Sequence, residues 1–207
     1  MPNQFWPTHQ QRRKPPKTVK GVSFVQQEAV LDQERRMAAL QWGFRLFLGV
    51  QLIPFIVMFT MRYELASWYV APTVNQWMGA AEAVIMLLSL WCAYDGLQAI
   101  RNDDLYKMQH RTKTAVGFGL LYMALVIYEW SQRFVPAGTR FGEIFYTTIG
   151  VSAFYTLAGL FVMTAIAIRS GRAHFSRHNY WDVQAVTWYW VFQGAVAVIA
   201  YMYLYWI

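Results

Sequence analysis

The sequence has little charge and a single cysteine, Cys92. One cysteine excludes an intrachain disulfide bond, and it excludes an iron–sulfur cluster or a zinc site that needs several thiolates. Only 14% of the residues are charged, whereas an average soluble domain has about 25%. Together with a hydrophobic fraction of 57%, this excludes a disordered chain, a coiled coil and an ordinary soluble enzyme. The class that fits is a multi-span membrane protein.

Histidine is missing from the long apolar runs. The four histidines, His9, His110, His174 and His178, all fall in the N-terminal tail or in connections between these runs. Haem iron is commonly held by histidine or another strong side-chain ligand, so we expect no haem ligands at membrane depth. A glycine-rich phosphate loop is also missing, and no nucleophile–base pair is suggested by spacing. We therefore expect this chain to bind no metal or cofactor and to carry no catalytic residues of its own.

Five apolar stretches are long enough, or nearly so, to cross a bilayer core, which requires about 20 apolar residues. They cover about 42–61, 77–100, 114–130, 145–168 and 186–207. Helices are the expected spanning form, because hydrocarbon offers no partner to a free backbone N–H or C=O. The expected fold is an all-α membrane protein with five transmembrane helices in 42–207 and a polar, basic tail in 1–41. Pro54 should kink the first span.

Two alternatives remain for residues 24–41 within the tail. The segment is compatible with a helix that lies on the membrane surface. It is equally compatible with an N-terminal extension of the first span.

The basic residues indicate an orientation in the membrane. Fourteen Lys and Arg residues lie in the tail and in the second and fourth connections, whereas three lie in the first and third connections. The positive-inside rule then places the N-terminus in the cytoplasm and the C-terminus outside. The formal net charge of +7 is thus accounted for by topology and by anionic lipid headgroups, and we expect no nucleic-acid partner.

Five polar side chains fall within the spans and are candidate functional or structural positions, because polar groups are costly in hydrocarbon. Arg45 and Asp95 lie near the cytoplasmic ends of adjacent spans, and we expect them to form an ion pair between the first and second helices. Glu82 and Glu129 lie near the outer ends of their spans, where we expect them to be exposed at the interface. Gln51 lies in mid-span and should join two helices by hydrogen bonding.

Four segments carry aromatic and small residues in an order typical of one known family. They are GFRLFLGVQLIPFIVMF with Phe44, Phe47 and Phe55, GLLYMALVIYEW ending in Glu129 and Trp130, SAFYTLAGLFVMTAIAIRSGR with Phe154, Tyr155, Leu157 and Gly159, and TWYWVFQGAVAVIAYMYLYW with Tyr189, Trp190, Phe192, Tyr203 and Leu204. Over residues 42–207 the chain resembles subunit III of haem–copper terminal oxidases, in the short five-helix bacterial form. In this resemblance Glu129 matches the family's carboxylate.

The chain departs from the family pattern at several polar positions. Gln51 stands where the family has a membrane glutamate, and Phe161 and Thr164 replace two histidines of the family's third shared segment. Val191 and Gly194 replace a histidine and an aspartate in the last helix. Proton or lipid-headgroup roles that belong to those side chains in the family are therefore not expected at these positions.

The resemblance implies a non-catalytic subunit of a proton-pumping oxygen reductase in the bacterial inner membrane. Such a subunit packs beside the catalytic subunit I and other oxidase subunits, which carry the haem and copper. It holds phospholipids between its helices and supports turnover and proton uptake. Cytochrome c and quinol both remain open as the electron donor.

Other functions remain as alternatives. One is a subunit III-like component of a nitric oxide reductase. The others, from a different class, are a small membrane transporter and an assembly factor. A transporter predicts polar residues that converge on the midplane, whereas the middle of each span here is mainly Leu, Ile, Val, Phe and Met.

Overall fold

A computed structural model describes residues 24–171, 175–176 and 179–206. The described residues form six helices, α1 (Phe24–Gln51), α2 (Ile53–Ala66), α3 (Gln76–Arg101), α4 (Leu105–Gln132), α5 (Arg140–Arg169) and α6 (Trp181–Tyr205). Five helical stretches are long and apolar enough to cross a membrane, and α1 with α2 makes up the first of them, Val30–Ala66. The predicted all-α fold with five spans is confirmed. Most of the tail (1–23), with His9, and the loop histidines His174 and His178 lie outside the described residues.

The first span is broken at Leu52, between α1 and α2. Pro54 lies in the first turn of α2, where its missing N–H and its ring prevent the ladder of α1 from continuing. The backbone N–H of Leu52 donates instead to the carbonyl of Gly49 at 3.2 Å, which tightens the last turn of α1. The break therefore lies where Pro54 predicts a kink.

The chain divides into two compact units, Met1–Gly43 and Phe44–Ile207. The described part of the first unit is residues 24–43 of α1, a largely exposed helical segment in which Arg35 lies 3.7 Å from Asp32. One helix, α1, thus covers residues 24–41 and the beginning of the first predicted span. The second unit contains the remaining helices.

Side-chain caps explain where three of the helices begin. The side chains of Asn75, Asp104 and Thr139 accept hydrogen bonds from backbone N–H groups in the first turns of α3, α4 and α5, respectively. Each cap satisfies a donor that has no partner within its helix. At the start of α5, Gly142 is required by packing, because a Cβ there would collide with the carbonyl of Pro136.

The packed helix pairs are α3–α4, α3–α6, α4–α5, α5–α6 and α2–α5. Helices α3 to α6 therefore form a closed ring of four, and α2 packs on the α5 side of that ring. Phe55 of α2 is fully buried, with its ring 5.1 Å from that of Tyr155 and 6.1 Å from that of Phe192. The order of packing thus differs from the order of the spans in the chain, since the first span packs against α5.

Trp190 on α6 joins all four helices of the ring. Its side chain is fully buried, and its indole N–H donates to the Ser89 hydroxyl of α3 at 3.0 Å. Ser89 in turn donates to the Ala115 carbonyl of α4 at 2.7 Å. The ring packs against Gly119 of α4 and Gly159 of α5, where an added Cβ would approach it to 2.9 and 2.8 Å. Small residues let membrane helices approach closely, and at these two positions they make room for one indole.

Candidate functional site

An apolar cleft lies between α1, α5 and α6, with a volume of about 620 Å³. Its walls include Phe44, Phe47, Gln51, Phe154, Tyr155 and Tyr189. All five of these aromatic residues belong to the segments that carry the family resemblance, and the structure brings them together from three helices. Gln51, which was expected to join two helices, is partly buried in the cleft wall.

The cleft is elongated and has charge at one end. Its wall on α5 extends from Phe154 to Arg169, a distance of about 22 Å at 1.5 Å per residue. Arg169 donates to the Asp182 carboxylate at 2.8 Å, and both residues line the cleft. The tyrosine pair is held in place because the Tyr189 hydroxyl donates to the Tyr155 carbonyl at 2.9 Å. The cleft is therefore apolar along most of its length and ends beside the guanidinium of Arg169 and the carboxylate of Asp182.

Aromatic rings gather beside Arg45 in the first span. The Arg45 guanidinium lies 5.2 Å from the centre of the Trp188 ring. Phe44 packs against both Trp181 and Trp188, at ring-centre distances of 6.2 and 6.5 Å. These contacts join the beginning of the first span to α6.

Asp95 has partners other than the one expected. Its carboxylate lies 2.7 Å from the Arg111 side chain and 3.3 Å from the Lys107 ammonium, both on α4. The expected pair with Arg45 assumed that consecutive spans pack together, whereas the first span packs against α5 and α3 packs against α4 and α6. The Arg45–Asp95 prediction is therefore corrected to an Asp95–Arg111–Lys107 cluster.

A second polar region lies inside the four-helix ring. A small polar cavity of about 30 Å³ is lined by the polar residues Glu82 (α3), Tyr122 (α4), Ser152 (α5), Tyr201 and Tyr205 (α6), together with glycine, alanine, isoleucine and leucine residues. Glu82 is only 7% exposed, and its Oε1 atom has no hydrogen-bond partner. Glu82 lies about 9 Å along α3 from the first residue of that helix. It is thus enclosed by protein.

Glu129 is connected to this cavity through Tyr205. Its carboxyl group is 3% exposed, and the Tyr205 hydroxyl lies 2.7 Å from each of its two oxygen atoms. The expectation that Glu82 and Glu129 are exposed at the interface is therefore wrong. Positions near span ends suggested exposure, but both side chains face the ring interior, where α3, α4 and α6 enclose them.

Sequence analysis did not single out Arg62 of α2, which is 1% exposed. Its guanidinium donates to the carbonyls of Ser67 and Tyr69 at 2.5 and 2.8 Å, and so satisfies carbonyls just beyond the end of α2. It also lies 4.9 Å from the centre of the Phe141 ring. In the sequence Arg62 is one of the three basic residues assigned to the first and third connections, and its burial was not predicted.

Ligand sets for metals are not formed by the described part of the chain. Within residues 24–171, 175–176 and 179–206, no three His, Cys, Asp or Glu side chains come close enough to hold a metal ion. The one cysteine, Cys92, is buried and unpaired. The chemical capacities of the described residues are thus an apolar cleft with a charged end and a buried polar cavity.

Comparisons with known proteins give one consistent name. The chain is 24% identical over 172 residues to "Cytochrome c oxidase subunit 3" of Synechocystis sp., covering 79% of this chain and 74% of the relative. It is 26% identical over 92 residues to the protein of that name in Cyanidium caldarium, and 28% identical over 92 residues to that of Drosophila yakuba. These two alignments cover 44% of this chain and 34% and 35% of the relatives. No protein-family model matches the chain.

Proposed function

We propose that this chain, a divergent relative of cytochrome c oxidase subunit 3, is the non-catalytic subunit III of a proton-pumping haem–copper oxygen reductase. It packs beside the catalytic subunit I, which with the other subunits holds the haem and copper. Its own contribution is to retain phospholipid in the apolar cleft and so to support sustained turnover and proton uptake. The single observation that carries this proposal is the cleft, because residues of the family-like segments line it.

The cleft fits a phospholipid by length and by chemistry. Half of a bilayer core is about 15 Å thick, so the apolar wall is long enough for an acyl chain. Arg169 lies at the charged end, and a guanidinium is well suited to bind a phosphate group. Along the rest of the cleft an acyl chain needs only apolar and aromatic contacts. Phe154, which is 69% exposed, offers such a surface.

The proposed location is the bacterial inner membrane, with the N-terminus in the cytoplasm. The excess of basic residues in the tail and in the α3–α4 and α5–α6 connections supports this orientation. Because Cys92 is buried, maleimide labelling of a single introduced cysteine can be measured without a contribution from Cys92. An impermeant maleimide should label Gly138→Cys on spheroplasts and label Asn102→Cys only after lysis. The reverse pattern would contradict the orientation.

The lipid role is tested by filling the cleft. Ala158 and Ala165 line it and are exposed within it, so the double variant Ala158→Trp, Ala165→Trp should occupy the space of an acyl chain. Native mass spectrometry of the purified complex should then show loss of a tightly bound phospholipid. The same complex should lose oxygen-reducing activity faster during continuous turnover, while its initial rate stays near that of the wild type.

The matched control is Ala124→Trp, which adds one bulky side chain at an exposed α4 position outside the cleft. Its bound lipid and its activity over time should equal those of the wild type. If the double variant retains the same lipid and the same endurance as this control, the cleft does not serve as a lipid site. If the complex reduces nitric oxide and not oxygen, the chain instead serves a nitric oxide reductase.

A further inference from the structure

The carboxyl and hydroxyl groups around the polar cavity differ in the hydrogen bonds that they make. Glu82 Oε1 is a buried acceptor without a donor. Tyr205 has one hydroxyl hydrogen and gives it to Glu129. Tyr122, Tyr201 and Ser152 also line the cavity, but none of them makes a direct hydrogen bond to Glu82 Oε1. The protein around Glu82 therefore supplies hydroxyl groups without supplying the donor that this oxygen atom lacks.

An unsatisfied buried acceptor is expensive. Leaving one without a partner destabilises the folded state, and the effect is larger when the group is charged. Most buried polar atoms in folded proteins are therefore paired with protein or with ordered water. Four hydroxyl-bearing residues line the cavity, Tyr122, Ser152, Tyr201 and Tyr205, and in the structure none of them donates to Glu82 Oε1.

The size of the cavity restricts what it can hold. A water molecule needs roughly 10–15 Å³ of such space and two to four polar partners, and this cavity provides about 30 Å³. An acyl chain or an organic cofactor would not fit. Gly79 closes one side, because a Cβ there would lie 2.6 Å from Tyr205 Cε1, so Tyr205 packs directly on the α3 backbone.

We propose that the polar cavity is a binding site for an ordered water molecule, which donates to Glu82 Oε1 and accepts from the hydroxyl group of Tyr122 or Ser152. Its second hydrogen faces the Tyr205 oxygen atom, which can accept while donating to Glu129. The water thus joins Glu82 to Glu129 through Tyr205 and links α3, α4, α5 and α6 at the end of the ring nearest the α4–α5 connection. This site is separate from the apolar cleft and does not depend on the proposed function.

The direct test is a high-resolution density map of the purified complex. It should show one isolated peak in the cavity at hydrogen-bonding distance, about 2.8 Å, from Glu82 Oε1 and from a hydroxyl oxygen. A cavity without density, in which Glu82 has turned to a protein donor, would overturn the proposal. So would a peak surrounded by five or six close oxygen atoms that disappears when sodium is replaced by choline, since that peak would be a cation.

A second measurement uses radiolytic footprinting, in which hydroxyl radicals made from bound water oxidise neighbouring side chains. Tyr122 is only 6% exposed, yet it should be oxidised if water lies beside it. Glu82→Leu, which removes the acceptor at similar volume, should lower that oxidation to the background level. Trp190 is fully buried and bonded to Ser89, so it should remain at background in both proteins.

The control variant is Glu143→Leu, which removes an exposed carboxylate of α5 and should leave Tyr122 oxidation unchanged. Oxidation of Tyr122 that is at background in the wild type would show that the cavity is dry. Oxidation that persists in Glu82→Leu would show that Glu82 does not hold the water. Either result would overturn the proposal, even if the complex is otherwise active.

Discussion

The apolar cleft and the polar cavity are two spaces in one small membrane domain, and they are built in opposite ways. The cleft is large, is lined by aromatic rings and has its charged pair at the rim. The cavity is about twenty times smaller in volume and is lined by one acid, Glu82, by Ser152 and by three tyrosines, Tyr122, Tyr201 and Tyr205. An apolar ligand can occupy the first, whereas the second has room only for a ligand of about the size of one water molecule.

The two spaces differ in the kind of residue that lines them and in how these residues respond to substitution. Aromatic side chains of the cleft border an open space, so a change in the shape of one side chain leaves the others room to adjust. Cavity residues are buried polar groups, and the loss of one partner leaves another unsatisfied. We therefore expect the cavity to respond to small substitutions with lost stability, and the cleft to respond with altered ligand content.

The largest effect is expected at Trp190, which belongs to the same buried core as Tyr122 and Tyr205 of the cavity. Its ring packs between Gly119 and Gly159, and its neighbour Tyr189 lines the cleft. Trp190→Ala should cost about 3–5 kcal/mol by loss of buried contacts and by the cavity left behind. Thermal unfolding of the purified complex measures this loss. Trp77→Ala, at a position that is 87% exposed, should leave the unfolding temperature unchanged. An equal loss in both variants would show that the buried contacts of Trp190 do not account for the loss of stability.

The second largest effect is expected at the polar cavity. Tyr205→Phe keeps the ring but removes the hydroxyl that bonds to Glu129, and a buried acceptor without its donor costs about 1–3 kcal/mol. Glu129→Gln in the same background should recover part of this loss, because a neutral amide is less costly to bury than a carboxylate without a partner. Thermal unfolding of the single and double variants tests the coupling. Strictly additive losses would contradict a direct Tyr205–Glu129 interaction.

A smaller effect is expected at the rim of the cleft. The Arg169–Asp182 pair is largely exposed, so Arg169→Gln should change stability by about 0.2–1 kcal/mol. It should instead change which lipid is retained, since the guanidinium is the group suited to a phosphate. Lipid analysis of the purified complex should show less anionic phospholipid in Arg169→Gln. The control is Arg133→Gln, because Arg133 is exposed and lies far along the chain from the residues of the cleft. Equal lipid content in the two variants would show that Arg169 does not bind lipid.

The number and type of elements could be predicted from the sequence, because they depend on local properties. Span lengths follow from runs of apolar residues, and the break at Leu52 follows from the ring and missing N–H of Pro54. Aromatic residues of the family-like segments line the cleft, although the sequence alone predicted no cleft from them. These properties belong to single segments and need no knowledge of neighbours.

Side-chain partners could not be predicted in the same way, because they depend on which helices pack together. Asp95 pairs with Arg111 and Lys107 because α3 and α4 are adjacent, whereas Arg45 lies on a span that packs elsewhere. Glu82 and Glu129 occur near span ends, and position along a helix gives depth but not the direction that a side chain faces. The polar cavity combines residues of four helices, so no single segment contained its signal.

The proposed role beside a haem–copper catalytic subunit is tested by purifying the native membrane complex through an affinity tag on this chain, in mild detergent. We expect the purified material to contain a large catalytic subunit, to show haem absorption bands and to consume oxygen with a reduced cytochrome c or a quinol as donor. A homogeneous, haem-free preparation of this chain from membranes that respire normally would rule that role out.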